Sequence, residues 1–94
     1  MNLLDQNFPD KPVALTNLLR DAATVSLIRL QAHAQLSAHQ SKTDALLILL
    51  NGEVVYQEDD REMVLHEPYD YVRITARKTH ELSGRSESLL LLVQ

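Results

Sequence analysis

Cysteine and tryptophan are absent from the chain, glycine occurs twice and proline three times. Without Cys there is no disulfide and no thiolate metal site, which suits a reducing compartment. The only aromatic rings besides histidine are Phe8, Tyr56, Tyr69 and Tyr71. With so few rings for bases to stack on, no basic cluster and a net charge of −4, the chain is not expected to bind nucleic acid. Gly52 and Gly84 are the only glycines, so no Gly-rich phosphate loop exists, and no Ser/His/Asp order is visible. No apolar run is long enough to span a membrane. The first residues, MNLLDQNFPD, carry neither a basic n-region nor a long apolar h-region, so a cytoplasmic location is expected.

What is present is a chain of 94 residues with 45% apolar content, enough for one folded domain. A domain this small buries only about 60–65% of the surface its unfolded chain exposes. A partner subunit would add burial, and a homodimer is expected. Residues 1–24 read as an N-terminal arm that packs on the body or on a partner subunit, and residues 25–94 as the body. Pro9 and Pro12 make the start of the arm extended and turn-rich. In Val13 to Arg20 the spacing of Leu15, Leu18 and Leu19 fits a helix, but the segment is short and lacks a strong cap.

From Thr24 the pattern turns to strands. Ile28, Leu30, Ala32 and Ala34 alternate with Arg29, Gln31, His33 and Gln35, as on a half-buried strand. Leu36 to Thr43 is polar and loop-like. Ala45 to Leu50 meets Asn51-Gly52, and Val54-Val55-Tyr56 follows, which predicts a hairpin with a type I′ turn. Its first strand is apolar on both faces: Leu46, Ile48 and Leu50 on one, Ala45, Leu47 and Leu49 on the other. Such a strand needs cover on both sides, and a second subunit is one source of it. Glu58 to Arg61 reads as a solvated tip. Short strands follow at Glu62 to His66 and Tyr71 to Thr75. The run Leu89 to Val93 would aggregate at an open edge, so it is expected to be paired and covered. Many short strands with close turn signals mean an all-β sandwich or barrel.

Chemistry rests on four histidines, of which His39 and His80 lie where loops meet strands. Together two imidazoles could hold a divalent metal, though catalytic zinc sites normally use three protein ligands. The chain resembles a small single-domain cupin between about Val25 and Val93. The first motif of that family is Gly, five residues, His-x-His, three or four residues, Glu, six residues, Gly. Its spacing lands on His33, His39, Ser41, Ala45 and Gly52. The second motif is Gly, five residues, Pro-x-Gly, two residues, His, three residues, Asn. It lands on Tyr69, Thr75, Arg77, His80 and Gly84. Of the identities only His39, Gly52 and His80 match. Leu65 to Ile74 is similar to the family's L-x-x-P-G-D-x-V-x-I turn, with Tyr69 in place of Gly.

The resemblance implies a double-stranded β-helix, or jelly roll, with its site at the barrel mouth. In metal-bearing relatives three His and one Glu hold the ion; the matching positions here are His39, Ser41, Ala45 and His80. Ala45 has no donor atom, and the adjacent Asp44 substitutes only if the strand bulges. The expected site residues are His39, His80, Ser41 and Tyr69, with His39 and His80 the candidate ligands of a divalent metal ion. The leading expectation is a non-catalytic cupin binding a small molecule, with an anionic one among the candidates, in its barrel. A metal-dependent dioxygenase or isomerase is the alternative, and a structural module with a filled barrel the third.

Overall fold

A computed structural model describes the backbone of all residues, and every side chain except those of Ala38 and His39. Nine strands follow a short 3-10 turn, Leu3–Asp5. They are β1 (Val13–Arg20), β2 (Thr24–Leu30), β3 (Gln35–His39), β4 (Ala45–Asn51), β5 (Val54–Glu58), β6 (Glu62–Leu65), β7 (Tyr71–Ile74), β8 (His80–Gly84) and β9 (Ser88–Val93). They form a five-stranded sheet in the order β1-β2-β9-β4-β7 and a four-stranded sheet in the order β3-β8-β5-β6. All pairings are antiparallel, and the two sheets make the jelly roll expected from the sequence.

The leucine-rich β9 lies between β2 and β4, so both of its edges are hydrogen-bonded. This placement removes the open edge that would make the run a template for aggregation. Strand alternation then sends Leu47 and Leu49 of β4, Leu90 of β9 and Ile28 and Leu30 of β2 inward. They meet Val54, Tyr56, Leu65 and Leu82 of the facing sheet in one core. Each fully buried side chain of this size contributes about 1.5–3 kcal/mol by leaving water.

Three local expectations are corrected. Val13–Arg20 is strand β1, not a helix, because hydrogen bonding to β2 overrides the leucine spacing. The segment expected to loop from Leu36 begins as β3, pairing Leu36 with Leu82 on β8. The predicted Asn51-Gly52 hairpin does not form. β4 pairs with β7 and β9, whereas β5 pairs with β6 and β8, so the two residues carry the chain from one sheet to the other. Only Gly52 has positive φ there, at 98°. Glycine is needed at that crossing for a second reason: a Cβ would lie 2.5 Å from the Glu87 carbonyl oxygen and against the Ser88 hydroxyl.

Three other residues hold positive φ: His33 (67°), Tyr69 (77°) and Arg77 (65°). With Gly52 these are the four positions at which the cupin-like spacing has glycine. The backbone has kept the left-handed turns while three of the four residues best suited to them have changed. A non-glycine residue in this region costs about 1–2 kcal/mol. Asp70 supports the turn at Tyr69, accepting from the backbone N–H groups of His66 and Glu67 at 3.1 and 3.0 Å. Those two bonds hold its carboxyl below the usual range, the Glu67 bond first.

The two outer faces differ. By register, the outer face of the five-stranded sheet carries one row through Tyr71, Ile48, Leu91, Leu27 and Thr16. A second row runs through Arg73, Leu46, Val93, Val25 and Leu19. The outer face of the four-stranded sheet carries Gln35, Glu81, Ser83, Gln57 and Glu62 among others. Among the described residues no helix is long and apolar enough to cross a membrane.

Candidate functional site

A cavity of about 470 Å3 opens between the two sheets. Its apolar wall is built by Ile28, Leu47, Ile74 and Leu92 from the five-stranded sheet and Leu36 and Leu82 from the other. Its rim comes from the segment between β3 and β4, with Gln40, Ser41, Lys42 and Thr43, and from Ala22, Thr24 and Gln94. Tyr56 and His80 supply the aromatic part of the wall. A cleft of this size, mostly apolar with few polar groups, is the usual form of a small-molecule site.

The sequence expectations meet this cavity unevenly. His80 is buried and lines it, and Ser41 lines it too, its carbonyl oxygen accepting from the Arg77 N–H at 2.7 Å. Residue 39 stands opposite residue 80 in the β3–β8 register. The His39 side chain lies outside the described residues. Tyr69 does not join them. It sits between β6 and β7, where its N–H bonds the carbonyl of Leu49 at the far end of β4, and its side chain is 79% exposed. Asp44 also faces elsewhere, accepting from the Ala76 N–H at 2.8 Å and pairing with Arg73 at 3.1 Å. The backbone bond, ahead of Arg73, holds its carboxyl below the usual range. No bulge turns it into the barrel, and Ala45, at the position where relatives have a Glu ligand, is a core residue.

The residues that sequence reasoning missed are Glu58 and its partners. Glu58 was expected at a solvated tip, yet it is only 7% exposed. Tyr56 donates its hydroxyl proton to one carboxylate oxygen of Glu58. Arg61 grips both oxygens, Nε at 2.8 Å and Nη2 at 2.9 Å. The same Nη2 donates to the Arg73 carbonyl oxygen at 2.7 Å, tying the β5–β6 turn to β7 of the other sheet. Alternation on β5 could have shown it: Val54, Tyr56 and Glu58 share the inward face.

Charge and pKa follow from this geometry. Arg61, more than any other neighbour, pulls the Glu58 carboxyl down to about 2 against the opposing effect of burial. Burial, then the Glu58 bond, raises the Tyr56 phenol well above its ordinary value. Tyr56 is therefore a neutral phenol whose proton is committed, and Glu58 a carboxylate with both oxygens engaged. The His80 ring stacks on Tyr56, with centroids 5.7 Å apart and planes at 28°. Its Nδ1 lies 3.0 Å from the Lys78 carbonyl oxygen. A carbonyl only accepts, so Nδ1 is the donor, and in the neutral ring Nε2 is the acceptor.

The described side chains do not by themselves make a metal site. Among the described residues no group of three His, Cys, Asp or Glu side chains converges. The cavity wall offers one described imidazole, and the nearest buried carboxylate is held by Arg61 and Tyr56. Metals of the kinds cupin enzymes use need more nitrogen and oxygen donors than that.

No protein-family model matches the sequence, and no curated protein does. Solved structures do match. A cupin superfamily protein from Desulfitobacterium hafniense superposes with a TM-score of 0.85 at 24% identity, over 97% of this chain and 83% of that one. An RmlC-like cupin from Shewanella frigidimarina gives 0.84 at 14% identity, over 99% and 86%. KdgF from Halomonas sp. gives 0.85 at 12% identity, over 98% and 89%. At these identities the likeness establishes the architecture, and the chain has the cupin fold.

Proposed function

We propose that this cupin-fold protein binds a small molecule in its barrel and does no chemistry on it. The observation that carries this reading is that the phenol of the wall, Tyr56, is spent on Glu58, and the Glu58 carboxylate is spent on Tyr56 and Arg61 behind the wall. Glu58 cannot serve as a base while Arg61 and Tyr56 hold both oxygens, and Tyr56 cannot serve as an acid while its proton lies on Glu58. What the cavity offers is apolar area with a polar rim of Gln40, Ser41 and Thr43 and the cation of Lys42. The ligand that matches is a molecule with an apolar body and an anionic or hydrogen-bond-accepting end. Of the other basic groups near His80, Arg73 is paired with Asp44 and Lys78 with Asp60.

The test is a thermal-shift and NMR titration with hexanoate, hexanol and hexylamine on untagged protein. The carboxylate is expected to raise the melting temperature and to perturb amides at residues 40–43 and 80–82, and the amine to do neither. Leu36→Trp, which fills the cavity, is expected to abolish the response in a folded protein. The reading is overturned if none of the three binds and Leu36→Trp simply raises stability, which marks a barrel meant to be full. Elemental analysis of the same preparation addresses the metal-dependent alternative at His39 and His80. Stoichiometric iron, manganese, nickel, copper or zinc lost in His80→Ala favours that enzyme.

A further inference from the structure

The chain has four asparagines, Asn2, Asn7, Asn17 and Asn51, and only Asn51 is followed by glycine. Leu3, Phe8 and Leu18 follow the others. Asn51 ends β4 and is exposed, and Gly52 carries the chain across to the facing sheet. Among the described residues nothing hydrogen-bonds the Asn51 carboxamide or the Gly52 N–H. By contrast, the Asn2 carboxamide accepts from the Leu4 N–H at 2.8 Å and that of Asn17 from the Ser26 hydroxyl at 2.8 Å.

We propose that Asn51 is a site of spontaneous modification, at which the Gly52 nitrogen closes on the Asn51 side chain and the product loosens the crossing between the sheets. Hydroxide removes the Gly52 N–H proton, and the nitrogen bonds the Asn51 side-chain carbonyl carbon. The carboxamide C–N bond breaks, and its nitrogen leaves as ammonia with a proton from water, which restores the hydroxide. Water then opens the five-membered imide at one of its two carbonyls. The product is aspartate or, with the backbone rerouted through the side chain, isoaspartate. One water enters and one ammonia leaves, with no change of oxidation state. Sterics favour this pair over the other three, since glycine has no Cβ to hinder its nitrogen and the widest choice of backbone angles. The attack draws Asn51 out of the extended conformation. Asn51 is the last residue of β4, and its pairing with Leu89 lies beyond the register shift that follows Leu49. Strand ends open at far less cost than the core.

The consequence follows from what is fixed on either side. Asn51 is paired with Leu89, and Glu53 is held by two bonds: its N–H donates to Ser88 Oγ at 3.0 Å, and its carbonyl accepts from the Arg85 N–H at 2.9 Å. Between them Gly52 lies so close to Glu87 and Ser88 that there is no room for a Cβ. Isoaspartate inserts a methylene into the main chain at this point. Aspartate inserts none, and its charge falls in the cleft that Arg29 and Phe8 also line.

The test is incubation of the folded wild-type protein in mildly alkaline buffer at 37 °C, followed by peptide mapping with mass spectrometry. Conversion at position 51 is expected to exceed that at Asn2, Asn7 or Asn17 by on the order of tenfold or more. The chromatographically separated isoaspartate form is expected to melt several degrees below fresh protein. Asn51→Asp, which has the charge without the extra methylene, is expected to melt with fresh protein. The chain unfolded in urea supplies the reference rate. If Asn51 converts in urea but not in the folded protein, the fold shields it and the proposal is overturned. An isoaspartate form that melts with fresh protein overturns it too, as does Asn51→Asp melting as low as the isoaspartate form.

Discussion

The two sheets share one core but present opposite chemistry outward. The four-stranded sheet shows water Gln35, Gln57, Glu62, Glu81 and Ser83, with Gln35 hydrogen-bonded to Glu81 at 3.2 Å. The five-stranded sheet shows it chiefly valine, leucine and isoleucine, with Thr16, Tyr71 and Arg73 on the edge strands. Inside, the contrast reverses. The four-stranded sheet brings Tyr56 and His80 to the cavity and buries Glu58 beside Tyr56, while the larger one contributes almost only hydrocarbon. The larger sheet is apolar on both sides, and the smaller is polar outside with one polar cluster inside. A core needs one apolar face per sheet, so the outer apolar face of the larger sheet is more than the core itself uses.

Neighbouring leucines on β9 give the largest test of that contrast. Leu90 points into the core and Leu91 away from it. Leu90→Ala is expected to cost about 3 kcal/mol in urea unfolding at any protein concentration. Leu91→Ala, at a half-buried outward position, is expected to cost well under half as much. Equal costs would erase the distinction between the faces.

The buried carboxylate of the smaller sheet supplies the next effect. A Glu58 carboxyl held near 2 in the folded chain, against 4.5 ordinarily, makes the protein more stable wherever the unfolded chain is also ionised. That contribution is complete above about pH 5 and is lost as pH falls from 4.5 toward 2. At 1.36 kcal/mol per unit it amounts to about 3 kcal/mol. Glu58→Gln is expected to lower stability at pH 7 and to flatten the acid limb of the stability–pH curve by about this much. No Asp or Glu of the larger sheet's strands can produce such a limb, since there is none.

Smaller effects come from the turns that serve both sheets. Tyr69→Gly and Arg77→Gly relieve left-handed strain of about 1–2 kcal/mol but add unfolded-state entropy worth about 0.5–1 kcal/mol. Each is expected to raise stability by about 0.5–1 kcal/mol, read as a shift in melting temperature. Gly52→Ala is expected to do the reverse and by more, as its Cβ meets the backbone of Glu87 and Ser88. The smallest change is expected at the polar outer face. Val64→Glu should alter stability by no more than about 0.5 kcal/mol; a loss of several kcal/mol would show that this outer face is covered.

Much of the architecture was legible because strand alternation is local. The two-sided character of β4 and the shared face of Ala45, Leu47 and Leu49 follow from period-two spacing and survive in the structure, which turns that face inward. The cupin-like glycine spacing was informative even where glycine is gone, since His33, Tyr69 and Arg77 retain the backbone angle that glycine would take. Asn51-Gly52 misled because the two residues indicate a tight change of direction, not the partner of the strand that follows. Pairing is settled by distant chain: β9, near the C-terminus, takes the edge of β4 that β5 would have used. The site was half legible. His80 and Ser41 lie at the cavity, whereas Glu58 was hidden by its charged neighbours Asp59, Asp60 and Arg61.

The sequence by itself determined the strand content, the absence of acids from the longest apolar runs and the positions where the chain must turn. These are properties of short segments, set by side-chain alternation and backbone sterics. Only the tertiary structure decided which strands share a sheet, that β1 closes one edge, and that a glutamate at the end of β5 is buried with its charge answered by Arg61. Those outcomes depend on contacts between residues far apart in the chain, whose free energies no local pattern encodes.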